Sequence, residues 1–429
     1  MNIALIACLA VFILIFLLRM PIAIGMIAAG ATYFLVRGGD LGIVANSVIS
    51  ALFTNYVIIA IPLFIFTANV MNSGKVSNLI FNFAKSFFGR SRGALGYVNV
   101  MDSVIFAGMT GSAIATAAAL GKIEIKAMKE AGFEPEFACA VSSTSAVLGT
   151  IYPPSIPFII FAMLSGTSVG ALFIGGVVPA TILAIALMIY VGIISKIRNY
   201  PRGEKVVFKV FLQQTLRSIP ALLTPVVILV GIYAGVMTPT EAGAVAGFYA
   251  ILITFIAYRA MGFKDLLKVA ANSIRDIGAI SIMIGAAAVI SFVFAREQIA
   301  VNLANWIISI TSERWSFLLL TNIVLLVVGL AVDTSVIQLI IVPILLPVAT
   351  ALDINLIHFG VVVCFNLMIG LCTPPFGMLL FITSSVSETP LKKVIREIWW
   401  PVIAMIIVLL ILTYVPITVT FFPTLLGLM

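Results

Sequence analysis

Apolar residues run in long blocks along almost the whole chain, and polar residues fall in short clusters between them. The blocks lack the strict alternation of strands, and most reach the roughly 17–25 residues that a helix needs to cross a bilayer. The pattern predicts an all-α polytopic membrane protein, with spans at about 2–18, 20–37, 48–71, 168–195, 218–236, 240–258, 277–295 and 399–420. Two further blocks, 93–131 and 315–351, are interrupted by Gly108-Met-Thr-Gly-Ser112 and by Gly329-Leu-Ala-Val-Asp333. Each reads as a re-entrant helical hairpin. After each hairpin comes an apolar stretch, 134–164 and 354–384, that is broken at its centre.

Those central breaks match. Residues 145–154 read Ser-Ala-Val-Leu-Gly-Thr-Ile-Tyr-Pro-Pro, and residues 366–375 read Asn-Leu-Met-Ile-Gly-Leu-Cys-Thr-Pro-Pro. Gly149 and Gly370 lie 221 positions apart, as do Pro153 and Pro374. Gly108 pairs with Gly329, and Ser112 falls opposite Asp333. Pro21 and Gly25 recur as Pro239 and Gly243, and Pro179 matches Pro401 with a one-residue slip. The chain therefore divides into two repeats. The first, 1–217, holds scaffold helices (1–92), a hairpin and broken helix (93–164), and a return helix with a cytoplasmic arm (165–217). The second, 218–429, holds scaffold helices (218–314), a hairpin and broken helix (315–384) and a final helix (385–429). An odd number of crossings in each half makes the repeats inverted in topology.

Composition narrows the class. Hydrophobic residues make up 62% of the chain and charged residues 9%, where a soluble domain carries roughly 25% charge. The net charge of +8 comes from clusters between spans. These are Lys75, Lys85, Arg90 and Arg92; Lys122, Lys126 and Lys129; Lys196, Arg198, Arg202, Lys205, Lys209 and Arg217; Arg259, Lys264, Lys268 and Arg275; and Lys392, Lys393 and Arg396. Basic loops stay cytoplasmic. With these clusters inside, Arg37, Arg296 and Arg314 fall outside, and both termini are periplasmic. Nothing points to nucleic acid; the partner of this surface is the lipid bilayer. The N-terminus reads as a first span, since it lacks the basic start and cleavage site of a signal peptide. Cys8, Cys139, Cys364 and Cys372 are scattered in apolar segments and read as buried small hydrophobes.

The breaks carry the chemistry. Glycine and double proline unwind a helix and free its carbonyls, which is tolerated in a membrane only where backbone is buried in protein or lines a polar cavity. Matched breaks in two halves point to an ion and substrate site near the midplane. The first sodium site would combine Ser103, Gly111 and Ser112 with Ser145, Gly149 and Tyr152. The second would combine Gly329, Asp333 and Thr334 with Asn366, Gly370 and Thr373. Hydroxyls, amides and carbonyls with a single carboxylate suit Na+ better than a transition metal. A substrate carboxylate would rest near helix N-termini, at Thr110, Ser112, Pro153, Pro154, Ser155, Pro374 and Pro375. No Arg or Lys lies at either break, and no organic cofactor is implied. Small polar residues inside spans often serve only to pack helices closely; the fixed offset of the paired breaks favours a site.

Other polar residues read as follows. Asp102 either belongs to the first tip or pairs with the basic 85–92 stretch. Lys122, Lys126 and Lys129, interleaved with Glu124 and Glu130, form a solvated hairpin base. His358 is expected at the outer interface, too far from Ser112 to act as the base of an intramembrane serine protease. Glu241, after Thr238-Pro-Thr240, reads as a helix cap. Trp399 and Trp400 suit an interfacial aromatic belt.

Two ordered sets of motifs carry a resemblance. One is Gly111-Ser-Ala…Ala119-Leu-Gly121, Ala127-Met-Lys-Glu-Ala-Gly132-Phe and Pro153-Pro-Ser-Ile-Pro157. The other is Asp333…Pro343-Ile-Leu-Leu-Pro347…His358-Phe-Gly360…Asn366-Leu-Met-Ile-Gly370-Leu-Cys-Thr-Pro-Pro375. Together they resemble the large membrane (M) subunit of tripartite ATP-independent periplasmic (TRAP) transporters, over essentially the whole chain. The resemblance implies an elevator-type secondary transporter of the bacterial inner membrane that imports an organic acid with sodium. Sialic acid and C4-dicarboxylates are both compatible. It also implies a small four-helix membrane (Q) subunit, here expected as a separate chain, and a soluble periplasmic substrate-binding (P) protein. The chain departs from the family at Thr116, where an acid is common, and at Gly149-Thr150, where Gly-Pro is usual.

Overall fold

A computed structural model describes residues 2–428 apart from 19, 55, 73–74, 311–312 and 331. The expected all-α architecture is borne out. Among the described residues, five helices are long and apolar enough to cross a membrane alone, or up to eight if each bent pair is one span. Their outward faces are apolar, as on the return helix Val169–Ile197, where Ile185, Ile189 and Ile193 are exposed at one-turn intervals. Such a stripe belongs against lipid.

Both hairpins are present. The first pairs Ala94–Thr110 with Ala113–Glu130, and the second pairs Arg314–Gly329 with Thr334–Ala351. The expected interruption at 329–333 includes Ala331, which lies outside the described residues. The first broken helix runs Pro135–Ile151, then bends by 43° into Ile156–Ser165. The second runs Leu356–Cys372 and resumes as Met378–Ser387. These are the most enclosed elements of the protein: every residue of 137–151 and of 357–373 is buried. The unwound turn of the first break, 153–155, is buried in the protein interior, as the bilayer constraint requires, whereas the second opens at Pro375 and Phe376.

Several elements differ from expectation. The single crossing expected at 48–71 is two pieces, Gly42–Phe53 and Tyr56–Met71, bent by 66°. The basic break after it contains a helix, Lys75–Phe88, whose apolar positions Val76, Ile80 and Ala84 are buried. Their spacing of four is the signal for an amphipathic helix, which the search for continuous apolar runs passes over. The span expected from 218 begins at Phe208, and the one expected at 277–295 is part of a 34-residue helix, Phe263–Arg296, that absorbs Lys264, Lys268 and Arg275. Charges at helix ends do not stop a helix; they only stop its apolar part. The last span ends at Tyr414 and is followed by a short helix, Ile417–Leu425.

Local polar chemistry sets the boundaries. Thr238 and Glu241 form a capping box, as the sequence predicts. Asn355 caps the second broken helix through the amides of Ile357 and His358. His358 does not face the interface; it is buried, with Nε2 2.9 Å from the Leu412 carbonyl of the last span. Trp399 and Trp400 are exposed, and the four cysteines are buried and free, both as expected.

One ion cluster ties the foot of the first broken helix to the rest. Arg198, just after the return helix, binds Glu134 before the broken helix and Glu397 before the last span. The Arg198–Glu397 contact is 2.9 Å, with both side chains largely shielded from solvent. Removing one partner strands the others. Arg198→Ala is expected to destabilise the fold by about 2 kcal/mol, read as an earlier thermal unfolding midpoint in detergent; an unchanged midpoint refutes the clamp.

Candidate ion and substrate site

The first break begins at Tyr152, whose backbone is extended. The cis Pro153–Pro154 bond follows. The helix restarts after Ser155, which accepts the Phe158 amide at 3.4 Å. The first hairpin turns at Gly111, with φ +60, and restarts after Ser112, which accepts the Ala115 amide at 3.3 Å. The two turns lie against each other. The Ile156 amide donates to the Gly111 carbonyl at 3.4 Å, and a Cβ on Gly111 would fall 2.8 Å from the Pro154 oxygen. Glycine is needed there for its positive φ and for the close approach. Two helix N-termini, those starting at Ala113 and Ile156, consequently meet at one place.

Gly149 seals the same contact. A Cβ there would lie 2.4 Å from Thr116 Oγ1 and 3.3 Å from the Ser112 carbonyl. Thr116 Oγ1 donates to that carbonyl at 2.9 Å and lies 3.1 Å from Thr110 Oγ1. Of the expected residues, Thr110, Gly111, Ser112, Gly149, Pro154 and Ser155 come together. Thr116, noted only as a departure from the family pattern, stands at the centre of the contact.

Ser145 lies a turn before Gly149 and belongs to a polar chain that the sequence did not assign. Its Oγ donates to Asn99 Oδ1 at 2.6 Å. Asn99 Nδ2 donates to Ser142 Oγ at 2.5 Å, and Ser142 Oγ donates to Glu124 Oε2 at 3.3 Å. All the donors point one way, toward Glu124, which leaves the Ser145 oxygen lone pairs available. Ser103 is buried one turn after Asn99, but no hydrogen bond joins it to the other expected ligands among the described residues. Asn99 was findable, since a lone amide on an apolar hairpin arm must be hydrogen-bonded or functional.

Glu124 corrects an expectation. It is not part of a solvated base: only 2% of it is exposed, whereas Lys122, Lys126, Lys129 and Glu130 around it face outward. Successive turns of a helix place 124 on the inner face and its neighbours on the outer one. Asp102 is also fully buried, beside Glu124, and neither of its carboxylate oxygens has a hydrogen-bond partner among the described residues. It makes no ion pair with the 85–92 stretch among the described residues.

The second break is built alike but with other groups. A Cβ on Gly370 would fall 2.7 Å from the Gly329 oxygen, so the hairpin and the broken helix again touch through glycine. Thr373 donates through Oγ1 to the Ile369 carbonyl at 2.7 Å, and the cis Pro374–Pro375 bond follows. Asn366 stands where Ser145 stands in the first half. Its Nδ2 donates to Asn322 Oδ1 at 2.9 Å and to the Asn322 carbonyl at 3.0 Å. Asn322 therefore plays the part of Asn99. Asn366 Oδ1 is buried without a hydrogen-bond partner among the described residues, an acceptor held ready at a cost of about 1–3 kcal/mol. Asp333 is half-buried and accepts the Ser335 amide at 2.9 Å, so its side chain caps its own helix. Thr334 is buried beside it. No hydrogen bond joins either to Asn366 or Thr373 among the described residues.

The two breaks abut. Thr150 Oγ1 lies 2.8 Å from Met368 Sδ, and Cys372 Sγ donates to the Ser143 carbonyl at 3.2 Å. The proline loops are not equivalent, however. Pro153, Pro154 and Ser155 are buried beneath the first tip, while Pro374 is half-buried and Pro375 exposed. The expected substrate residues thus form a covered group and an open one.

The packing at Gly149 makes a sharp expectation. Gly149→Ala drives a methyl into Thr116 and parts the break from the tip, so uptake is expected to fall tenfold or more with normal membrane abundance. Thr116→Ala in the same chain removes the nearer atom and should restore part of the loss. Uptake by reconstituted protein checks this; a Gly149→Ala transporter with full activity refutes the contact.

Comparison with known proteins agrees with this geometry. Residues 9–418 match the family described as tripartite ATP-independent periplasmic transporter, DctM component. The sialic acid TRAP transporter large permease protein SiaM of Vibrio cholerae is 35% identical over 399 residues, covering 92% of this chain and 93% of that protein. The C4-dicarboxylate TRAP transporter large permease protein DctM of Pseudomonas aeruginosa is 36% identical over 373 residues, covering 87% of each chain. The crystal structure of the Alcanivorax borkumensis YdaH transporter, described as having an unusual topology, shares the fold at 13% identity, with a TM-score of 0.66 over 87% of this chain and 88% of that one. Matched over residues 9–418 and at 35–36% identity along most of its length, this protein belongs to the DctM family of TRAP transporter large permeases.

Proposed function

We propose that this permease imports an organic acid, of the sialic acid or C4-dicarboxylate class, together with sodium, and that a periplasmic binding protein delivers the acid. The observation that carries the reading is the meeting of each helix break, through a glycine, with a hairpin tip: Gly149 beside Ser112 and Thr116, and Gly370 beside Gly329. Each meeting gathers hard oxygen donors in a buried place. Ser145 and the orphaned Asn366 Oδ1 add an acceptor to each. Sodium accepts such ligands readily.

The acid would bind at the N-terminus of the helix starting at Ala113, whose positive end faces the turn before Ile156. Bound sodium supplies the positive charge that Arg and Lys would supply elsewhere. Sodium also supplies the drive, since one charge crossing 100 mV is worth roughly 2.3 kcal/mol. Two sodium ions with a monoanion carry net positive charge inward. In this reading the hairpins and broken helices move as one body against the outer helices, an elevator motion that the contact of the two breaks supports. A separate Q subunit is the expected membrane partner. The basic clusters favour an inner-membrane orientation with both termini periplasmic.

The direct test is uptake into vesicles with the purified binding protein, scanning candidate acids in sodium and in potassium. Uptake that collapses in potassium supports coupling; uptake equal in both marks a passive pore. Asn366→Leu, which keeps the volume but removes the oxygen, should raise the sodium concentration for half-maximal uptake by about tenfold, the effect of losing roughly 1.4 kcal/mol of binding. An unchanged sodium dependence takes Asn366 out of the site.

A further inference from the structure

We propose that a basic cavity at the foot of the first hairpin binds the headgroup of an anionic phospholipid. The cavity has a volume of about 390 Å³ and lies where three elements meet: the helix Lys75–Phe88, the foot of the hairpin, and segment 201–207 leading into the helix Phe208–Tyr233. Its charged lining is Lys85, Arg202, Lys205 and Glu204. Three cations against one carboxylate leave a net charge of +2. Glu204 is 3.8 Å from Lys85, and neither Arg202 nor Lys205 has a carboxylate within ion-pair distance among the described residues. Asn82 and Gln214 add hydrogen-bond donors to the same wall. Asn82 also borders a second cavity, which includes Arg217, so the basic lining continues along the helix.

Two cations beside a cavity recruit an anion. The surroundings decide which kind. Val206 and Val207, which line the cavity, are exposed, and Phe208, next in the chain, is 74% exposed. The rings of Phe87 and Phe211 stack edge to face at 5.1 Å along the same shelf. A dissolved anion gains nothing from such a shelf. A phospholipid fills both parts, its phosphate against Arg202 and Lys205 and its chains along the apolar residues. Basic pockets between helices on the cytoplasmic side suit lipid headgroups on general grounds. The foot of the first hairpin, which carries Asn99 and Gly111, forms one wall, and the arm helix Lys75–Phe88 forms another. A lipid there ties the two together.

The test uses the transporter purified with any subunit that stays bound to it, placed in phosphatidylcholine nanodiscs containing phosphatidylglycerol. Native mass spectrometry then counts retained phosphatidylglycerol. The unaltered protein and the charge-keeping variant R202K/K205R are expected to retain it. R202Q/K205Q, at exposed positions that leave the fold intact, is expected to retain about thirtyfold less, given the roughly 1 kcal/mol that each basic residue contributes at a membrane surface. Equal retention by R202Q/K205Q overturns the proposal. Release of the lipid by millimolar inorganic phosphate, without any preference for phosphatidylglycerol over phosphatidylcholine, also overturns it and identifies a free-anion site.

Discussion

A membrane interior offers no water to a bare peptide group, so any interruption of a helix there must be answered by protein or by a ligand. This chain interrupts four helical segments, two at hairpin tips and two in broken spans, and presses them together in pairs. Gly111 and Gly149 permit the first pairing, and Gly329 and Gly370 the second. A side chain at Gly111, Gly149 or Gly370 would hold the segments apart. The helical arms leading into both breaks, 137–151 and 357–373, are buried throughout, and the surrounding helices cover the first unwound turn fully but leave the second open at Pro375.

The halves answer the constraint with different chemistry. In the first, hydroxyls dominate: Thr110, Thr116 and Ser112 close the tip, and Ser145 leans on Asn99. In the second, amides dominate, with Asn366 on Asn322 and one amide oxygen left over. The residues at the shared offset, Ser145 and Asn366, both reach an asparagine on the first arm of their own hairpin. The two halves therefore share a geometry more than a sequence. The unequal cover of the two proline loops shows that the halves are also not in identical surroundings.

Much of this was legible in the sequence because glycine and proline act locally. The hairpins, the breaks and their pairing follow from where those residues interrupt apolar runs. The capping role of Glu241 was legible for the same reason. What was missed depends on packing between distant segments. Asn99 and Asn322 matter only because a broken helix passes beside them. Glu124 looked solvated because its neighbours are lysines, and only the direction of its helix face buries it against Asp102 and Ser142. The helix Lys75–Phe88 escaped because its apolar stripe is periodic, not continuous. Asp333 drew attention as a charge at depth, yet its side chain is engaged in capping.

The central claim, that the breaks are held open to ligate sodium, is tested most directly by density maps of the protein prepared in sodium and in a salt of a bulky organic cation. The account predicts a compact peak among the oxygens of each break, beside Ser145 and Gly149 and beside Asn366 and Gly370, present in sodium and absent without it. Breaks that look the same in both salts, with no peak at either, would contradict it.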